Sequence, residues 1–219
     1  MKNDIDLCLK YSPIIMFDEK EPFFPVRVGY TVFRENNKSS SFSRDINLSN
    51  GEIYVIEYAI YWDWDIEHLY ELEHSWVYID QDGNITRVEA SWHGRYNLMD
   101  NVEIKDTHPV LYSQPGKHAF APSPTWFEPR ERFIPSCTQH AGIGGLLITD
   151  IFKGKLEKTL GDDELVVIYL SKYAFTPIFN FVKEFGFKEE LFVRWDELYK
   201  WIPKRIKEVL NKLKEEEVF

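Results

Sequence analysis

Along most of this chain the apolar residues fall in short β-branched and aromatic runs broken by proline and glycine, and only near the end do they switch to three- and four-residue spacing. Residues 11–17 and 22–33 read as strands or extended edges punctuated by proline, and residues 34–51, rich in Ser and Asn, as a surface loop. Strand composition returns over residues 52–62. An Asp82-Gly83 turn between residues 75–80 and 85–92 predicts a β-hairpin. Residues 109–113 form a further strand, followed by a turn that delivers His118 at its exit. Residues 122–135 are too rich in proline and charge for a regular element and read as a lid or a strut. Residues 141–145, Ala-Gly-Ile-Gly-Gly, suit a close-packed turn better than a phosphate loop, because no Lys-Ser/Thr follows.

The later residues change character. Asp162-Asp163-Glu164 opens a predicted helix, Thr176-Pro177 caps another running through Lys183, and Asp196 begins an amphipathic helix with Leu198, Trp201, Ile202, Ile206, Val209, Leu210 and Leu213 on one face. Pro203 either kinks that helix or marks its true first turn. This order of elements predicts an α+β protein with an antiparallel β-sandwich-like core and C-terminal helices. It is expected to form a single domain over 1–219, with a β-rich core over 1–160 and a helical extension over 161–219.

Composition narrows the class. A length of 219 residues with 44% hydrophobic and 16% aromatic content suits one buried core. No apolar run approaches the roughly 20 residues needed to cross a bilayer, so no transmembrane segment is expected. The polar amino terminus lacks the apolar centre of a signal peptide, which makes a soluble cytoplasmic protein the default expectation. A net charge of -10 argues against a nucleic-acid partner. The basic residues between Lys200 and Lys214 alternate with Glu208 and read as a salt-bridged helix face. Cys8 and Cys137 have no pairing or metal-ligand spacing and are expected as free, buried thiols.

The densest chemistry lies between Asp63 and His74, where Asp63, Asp65, Glu67, Glu71 and Glu73 accompany His68 and His74 among Trp, Tyr and Leu. Solvated acidic runs lack such aromatic density, and close carboxylates repel unless a cation or protons intervene. Read as a strand, the segment puts Glu71, Glu73 and Ser75 on one face and Leu72, His74, Trp76 and Tyr78 on the other. A loop entering that strand brings His68 to the same point, with Asp63 or Asp65 in reach. Carboxylate oxygens with one imidazole suit Mg²⁺, Mn²⁺, Fe²⁺ or Zn²⁺, and Ca²⁺ less well. A helical reading as Glu-x-x-His lacks the second copy that a di-iron bundle needs. The competing bland reading is an ion-pair cluster with Arg or Lys on a sheet surface.

Three pieces in order carry a family resemblance: Tyr11-Ser-Pro with Phe17-Asp-Glu and Phe24-Pro-Val, then His68-Leu-Tyr-Glu-Leu-Glu-His74, then His108-Pro-Val-Leu-Tyr112 with Gly116-Lys-His-Ala. Over residues 11–120 the chain resembles proteins related to vacuolar sorting protein 62 and, more distantly, the necrosis- and ethylene-inducing proteins. The resemblance implies a β-sandwich with a divalent cation on His68, Glu71 and Glu73, and with Asp65 or Asp63 as the preceding acid. Glu71 stands where the family usually has Asp, and Tyr70 where the necrosis-inducing group has a second His. The residues beyond about 160 lie outside the resemblance.

His93 and His118 sit at strand ends beside small residues and are the candidates for moving a proton, with Glu89 and His93 expected near the metal. His74 is expected to brace the site from behind, and His108 and His140 to be structural. Trp62, Trp64 and Trp92 are candidates for stacking on a ligand. Two functions follow: a metal-dependent binding protein recognising a small polar ligand such as a glycan or lipid headgroup, or a metal-dependent hydrolase or lyase using His118 or His93. A purely structural cation is the third.

Overall fold

The computed structural model describes residues 2–49, 51–159 and 161–216. In chain order its elements are α1 (Lys2–Lys10), β1 (Ile14–Asp18), β2 (Arg27–Phe33), β3 (Asn37–Lys38), β4 (Asp45–Ile46), β5 (Glu52–Trp64), β6 (His68–Asp80) and β7 (Ile85–Trp92). They continue as β8 (Arg95–Leu98), β9 (Ile104–Lys105), β10 (His108–Ser113), β11 (Phe120–Ala121), α2 (Ile134–Cys137), β12 (Gly145–Leu146) and α3 (Asp162–Ser171). The last are β13 (Phe181–Phe185), β14 (Phe192–Arg194) and α4 (Trp195–Glu216).

The larger sheet runs β14-β2-β5-β6-β7-β8 with β12 beside β6, and the smaller runs β11-β10-β1-β13 with β9 beside β10. Most pairs are antiparallel; β1 with β10, β12 with β6 and β14 with β2 are parallel. The expected hairpin is present as β6 and β7, in register Ser75↔Ala90 to Ile79↔Ile85.

Strand β5, Glu-Ile-Tyr-Val-Ile-Glu-Tyr-Ala-Ile-Tyr-Trp-Asp-Trp, is buried almost without interruption from Val55 to Trp62. A strand needs such a continuous run when both faces are covered. One buried cluster joins Ile15, Phe17 and Leu111 of the smaller sheet to Ile60 and Trp62 of the larger, and extends to Ile202 and Ile206 of α4. On the other face a smaller cluster of Phe33, Ile46, Val55, Trp76 and Tyr78 is covered by the loop carrying β3 and β4.

Helix α4 buries Leu198, Ile202, Ile206, Val209, Leu210 and Leu213, as its spacing predicts, and continues through Pro203. Gly29 of β2 lets it approach closely: a Cβ there would lie 2.8 Å from Leu198 Cδ2. Asp63 and Arg205 tie the same helix to β5 through a two-pronged pair of 2.9 and 2.8 Å.

The helix expected from Thr176 through Lys183 is absent; this stretch is extended and enters β13. Phe181–Phe185 alternates in exposure, a period-two pattern that outweighs the Thr-Pro cap signal. The buried carboxylate of Asp18 also accepts the N–H groups of Ile178 at 3.1 Å and of Phe179, which holds the backbone extended. Residues 161–216 therefore supply β13 to one sheet and β14 to the other, as well as α3 and α4.

Candidate metal centre

The site forms where β6 begins. Within β6, only Ser75–Ile79 pair with β7, so the first residues of β6 extend past it, and β12 takes the vacant edge by pairing Gly145 and Leu146 with His68 and Leu69. The turn from β5 into β6 closes with the Asp65 N–H on the His68 carbonyl at 3.0 Å. Asp65 Oδ1 accepts the Glu67 N–H at 2.7 Å, the local cap expected of an Asp in a tight turn.

Two further segments clamp this turn. The Ile66 N–H bonds the Gly116 carbonyl at 2.8 Å, and the Gly144 N–H bonds the Glu67 carbonyl at 2.8 Å. Gly116 has φ +69°, and a Cβ there would lie 2.6 Å from Ile66, so both its conformation and the close approach require glycine. Buried Glu21 accepts the Gly116 N–H at 2.7 Å and fixes the turn from the other side.

One donor atom from each of Asp65, His68 and Glu71 lies within 4.8 Å of the others. His68 Nε2 is 3.6 Å from Asp65 Oδ1 and 3.7 Å from Glu71 Oε2. His68 Nδ1 is 2.9 Å from the Tyr70 carbonyl, which fixes a proton there and turns Nε2, a lone pair in the neutral imidazole, toward the acids. Tyr70 adopts φ +58°, an uncommon conformation for a bulky residue, in the middle of this motif. Asp65 is fully buried, and its Oδ2 has no hydrogen-bond partner.

Lys117 supplies a positive charge that the sequence reading did not use. Its Nζ lies 2.6 Å from Asp65 Oδ1, 3.1 Å from Glu67 Oε2 and 3.4 Å from His68 Nε2. Burial would push its pKa down, but Asp65, Glu71 and Glu67 outweigh burial and raise it. Asp65 shows the mirror image: burial would raise its pKa, while His68, Lys117 and His118 hold it below the ordinary carboxylate value. Glu73 is pushed well above its ordinary value, first by burial and then by Glu71. Its carboxyl is hydrogen-bonded to the Ser91 hydroxyl.

The remaining candidates are placed as follows. Asp63 is held by Arg205 and does not join the cluster; β5 ends at Trp64, so only Asp65 enters the turn. Glu89, expected beside the metal, instead pairs with Arg44 at 2.6 Å and Arg87 at 3.2 Å. His93 Nε2 contacts Gln114 Oε1 at 2.7 Å. His118 is fully buried, stacked on Trp62 with ring centroids 4.7 Å apart and its Nε2 3.3 Å from Glu21. Trp62 is itself fully buried and has no face free for a ligand, because β5 is covered on both sides. Trp64 stacks on Tyr169, and Trp92 packs among Trp126, Phe127 and Phe133.

His74 stacks on Trp76, two positions along β6, as alternation predicts. His108 Nδ1 bonds the Ser12 carbonyl at 2.7 Å, while His140 lies 3.9 Å from Glu67 and so reaches the edge of the site. Cys8 and Cys137 are buried free thiols, each with its pKa raised mainly by burial.

The fold and site together define an α+β protein with two large β-sheets, a two-stranded ribbon and a largely buried acid, imidazole and acid cluster where β6 of the larger sheet begins. No family model and no curated protein matches the chain. Among solved structures it is similar to NLPPya in complex with glucosamine, at 18% identity and a TM-score of 0.37 over 53% of this chain and 64% of that one. A mutant of NLPPya gives 18% identity and a TM-score of 0.37 over 54% and 66%. The chain thus spans less than two thirds of the first of these.

Proposed function

We propose that this chain binds a divalent cation through Asp65, His68 and Glu71, with Glu73 behind them, and uses it to recognise an oxygen-bearing polar ligand such as a glycan or lipid headgroup. The observation that carries the reading is the convergence of these three donor atoms within 4.8 Å, with the His68 tautomer set by the Tyr70 carbonyl. Separations of 3.6 and 3.7 Å suit adjacent donors around an ion whose bonds are about 2.1–2.5 Å. The Oδ2 of Asp65, which has no hydrogen-bond partner, adds a second acceptor oxygen on the same carboxylate. Lys117 occupies part of the same space, so the cation competes with the protein's own ammonium and must displace it from Asp65.

Bound there, the cation supplies a Lewis-acidic point for a ligand oxygen, and the protein positions it. The hydrolase or lyase alternative is less well supported, since His118 is enclosed and His93 is engaged by Gln114. Calorimetric titration of chelator-treated protein with Mg²⁺, Mn²⁺, Zn²⁺ and Ca²⁺ tests the reading. Saturable binding is expected, weakened about tenfold or more in Glu71→Gln, which keeps the side-chain shape while removing one charge. Absence of saturable binding in the wild type, or undiminished binding in the variant, would defeat it.

A further inference from the structure

A cavity of about 320 Å³ lies on the outer side of β6, between the loop around Phe42 and the segment around Phe152. That volume is at the small end of the range for ligand pockets. Its walls include Phe42, Leu147 and Phe152, and its polar lining includes Glu71, Asp150 and His74. His74 is 2% exposed, and neither ring nitrogen has a hydrogen-bond partner.

The two carboxylates contribute acceptors only, and His74 adds an unpartnered imidazole beside them. Glu71 has no lysine or arginine within ion-pair distance among the described residues, and neither does Asp150. A carboxylate or phosphate entering this cavity meets like charge, whereas an ammonium brings donors and the opposite charge. The apolar walls require that the rest of the molecule be apolar, and Phe42 offers an aromatic edge or face to it.

We propose that this cavity binds a small amphipathic amine, with its ammonium toward Glu71 and Asp150 and an aromatic or branched apolar body against Phe42, Leu147 and Phe152. The site is independent of the metal reading except for the shared Glu71, so it is tested with chelator present. Calorimetry on the full chain compares tryptamine, tryptophol and indole-3-acetate, which share the indole but carry a cation, a neutral hydroxyl and an anion. Tryptamine is expected to saturate one site about tenfold more tightly than tryptophol, and indole-3-acetate not to bind.

Asp150 and Leu147 are exposed, Leu147 by 41%, so substitution at either leaves the core intact. Asp150→Asn should weaken tryptamine binding about three- to tenfold, and Leu147→Arg should abolish it, with unchanged circular dichroism. No saturation by tryptamine, equal or tighter binding of either companion compound, or wild-type affinity in both variants would overturn the proposal. A protein that binds no divalent cation but does bind tryptamine in this pattern would refute the metal reading and leave this one standing.

Discussion

Lys117 holds the key position among the individual residues. Its ammonium neutralises Asp65 and Glu67 inside a largely closed site, yet Glu71 and Glu73 add two more carboxyls to the same neighbourhood. Removing the cation from a buried pair leaves an uncompensated charge, so Lys117→Met is expected to lower stability by about 3–5 kcal/mol in the presence of chelator. Because the ion and the ammonium share Asp65, saturating Mn²⁺ should then raise the Tm of the variant more than that of the wild type. Thermal melts with and without Mn²⁺ check this, and an equal shift in both proteins would show that the two cations do not compete.

Glu73 gives a second expectation with a definite sign. A carboxyl whose folded pKa is raised keeps its proton in the folded state after the unfolded chain has lost it. Its contribution to stability therefore falls as pH rises from the unfolded value of about 4.3 up through the raised folded value. Asp65 runs oppositely: its depressed folded pKa gives stability that is present above an unfolded value of about 3.9 and lost as pH falls through the folded value. Glu73→Gln should flatten the decline on the upper side and raise Tm at pH 7 in metal-free buffer. A profile of Tm against pH identical to that of the wild type would contradict this assignment.

Among the elements, the seat of α4 on β2 and β5 decides how the later residues join the core. Gly29 admits Leu198 and Trp195 at distances that leave no room for a branched side chain. Gly29→Val is therefore expected to destabilise by about 2–3 kcal/mol through overpacking, measurable by denaturant unfolding. Unchanged stability would mean that the helix is not held there. The amphipathic pattern of α4, the Asp-Gly hairpin and the continuous apolar run of β5 were all legible from local spacing. The extended form of residues 176–180 was not, because a carboxylate at Asp18, far away in sequence, accepts its N–H groups.

The same limit governs the site within the whole molecule. His68, Glu71 and Asp65 announced themselves by density alone, since they lie within a few positions of one another at the β5–β6 turn. The choice between Asp63 and Asp65 depended on Arg205, which reaches β5 from a helix that follows more than a hundred residues later. Lys117 likewise arrives on a distant turn, brought in by Gly116 and Glu21, and no spacing rule within the acidic motif points to it. The enclosure of Trp62 and His118 follows from packing two sheets and a helix about β5, which a strand pattern alone does not specify.

A cation site on Asp65, His68 and Glu71, shared with Lys117, is tested most directly by diffraction from Mn²⁺-soaked crystals. A single strong manganese anomalous peak is expected, bonded to His68 Nε2 and to carboxylate oxygens of Asp65 and Glu71 at about 2.1–2.4 Å, with the Lys117 ammonium moved off Asp65. No peak at these residues, with Lys117 still seated on Asp65 at a saturating Mn²⁺ concentration, would contradict it.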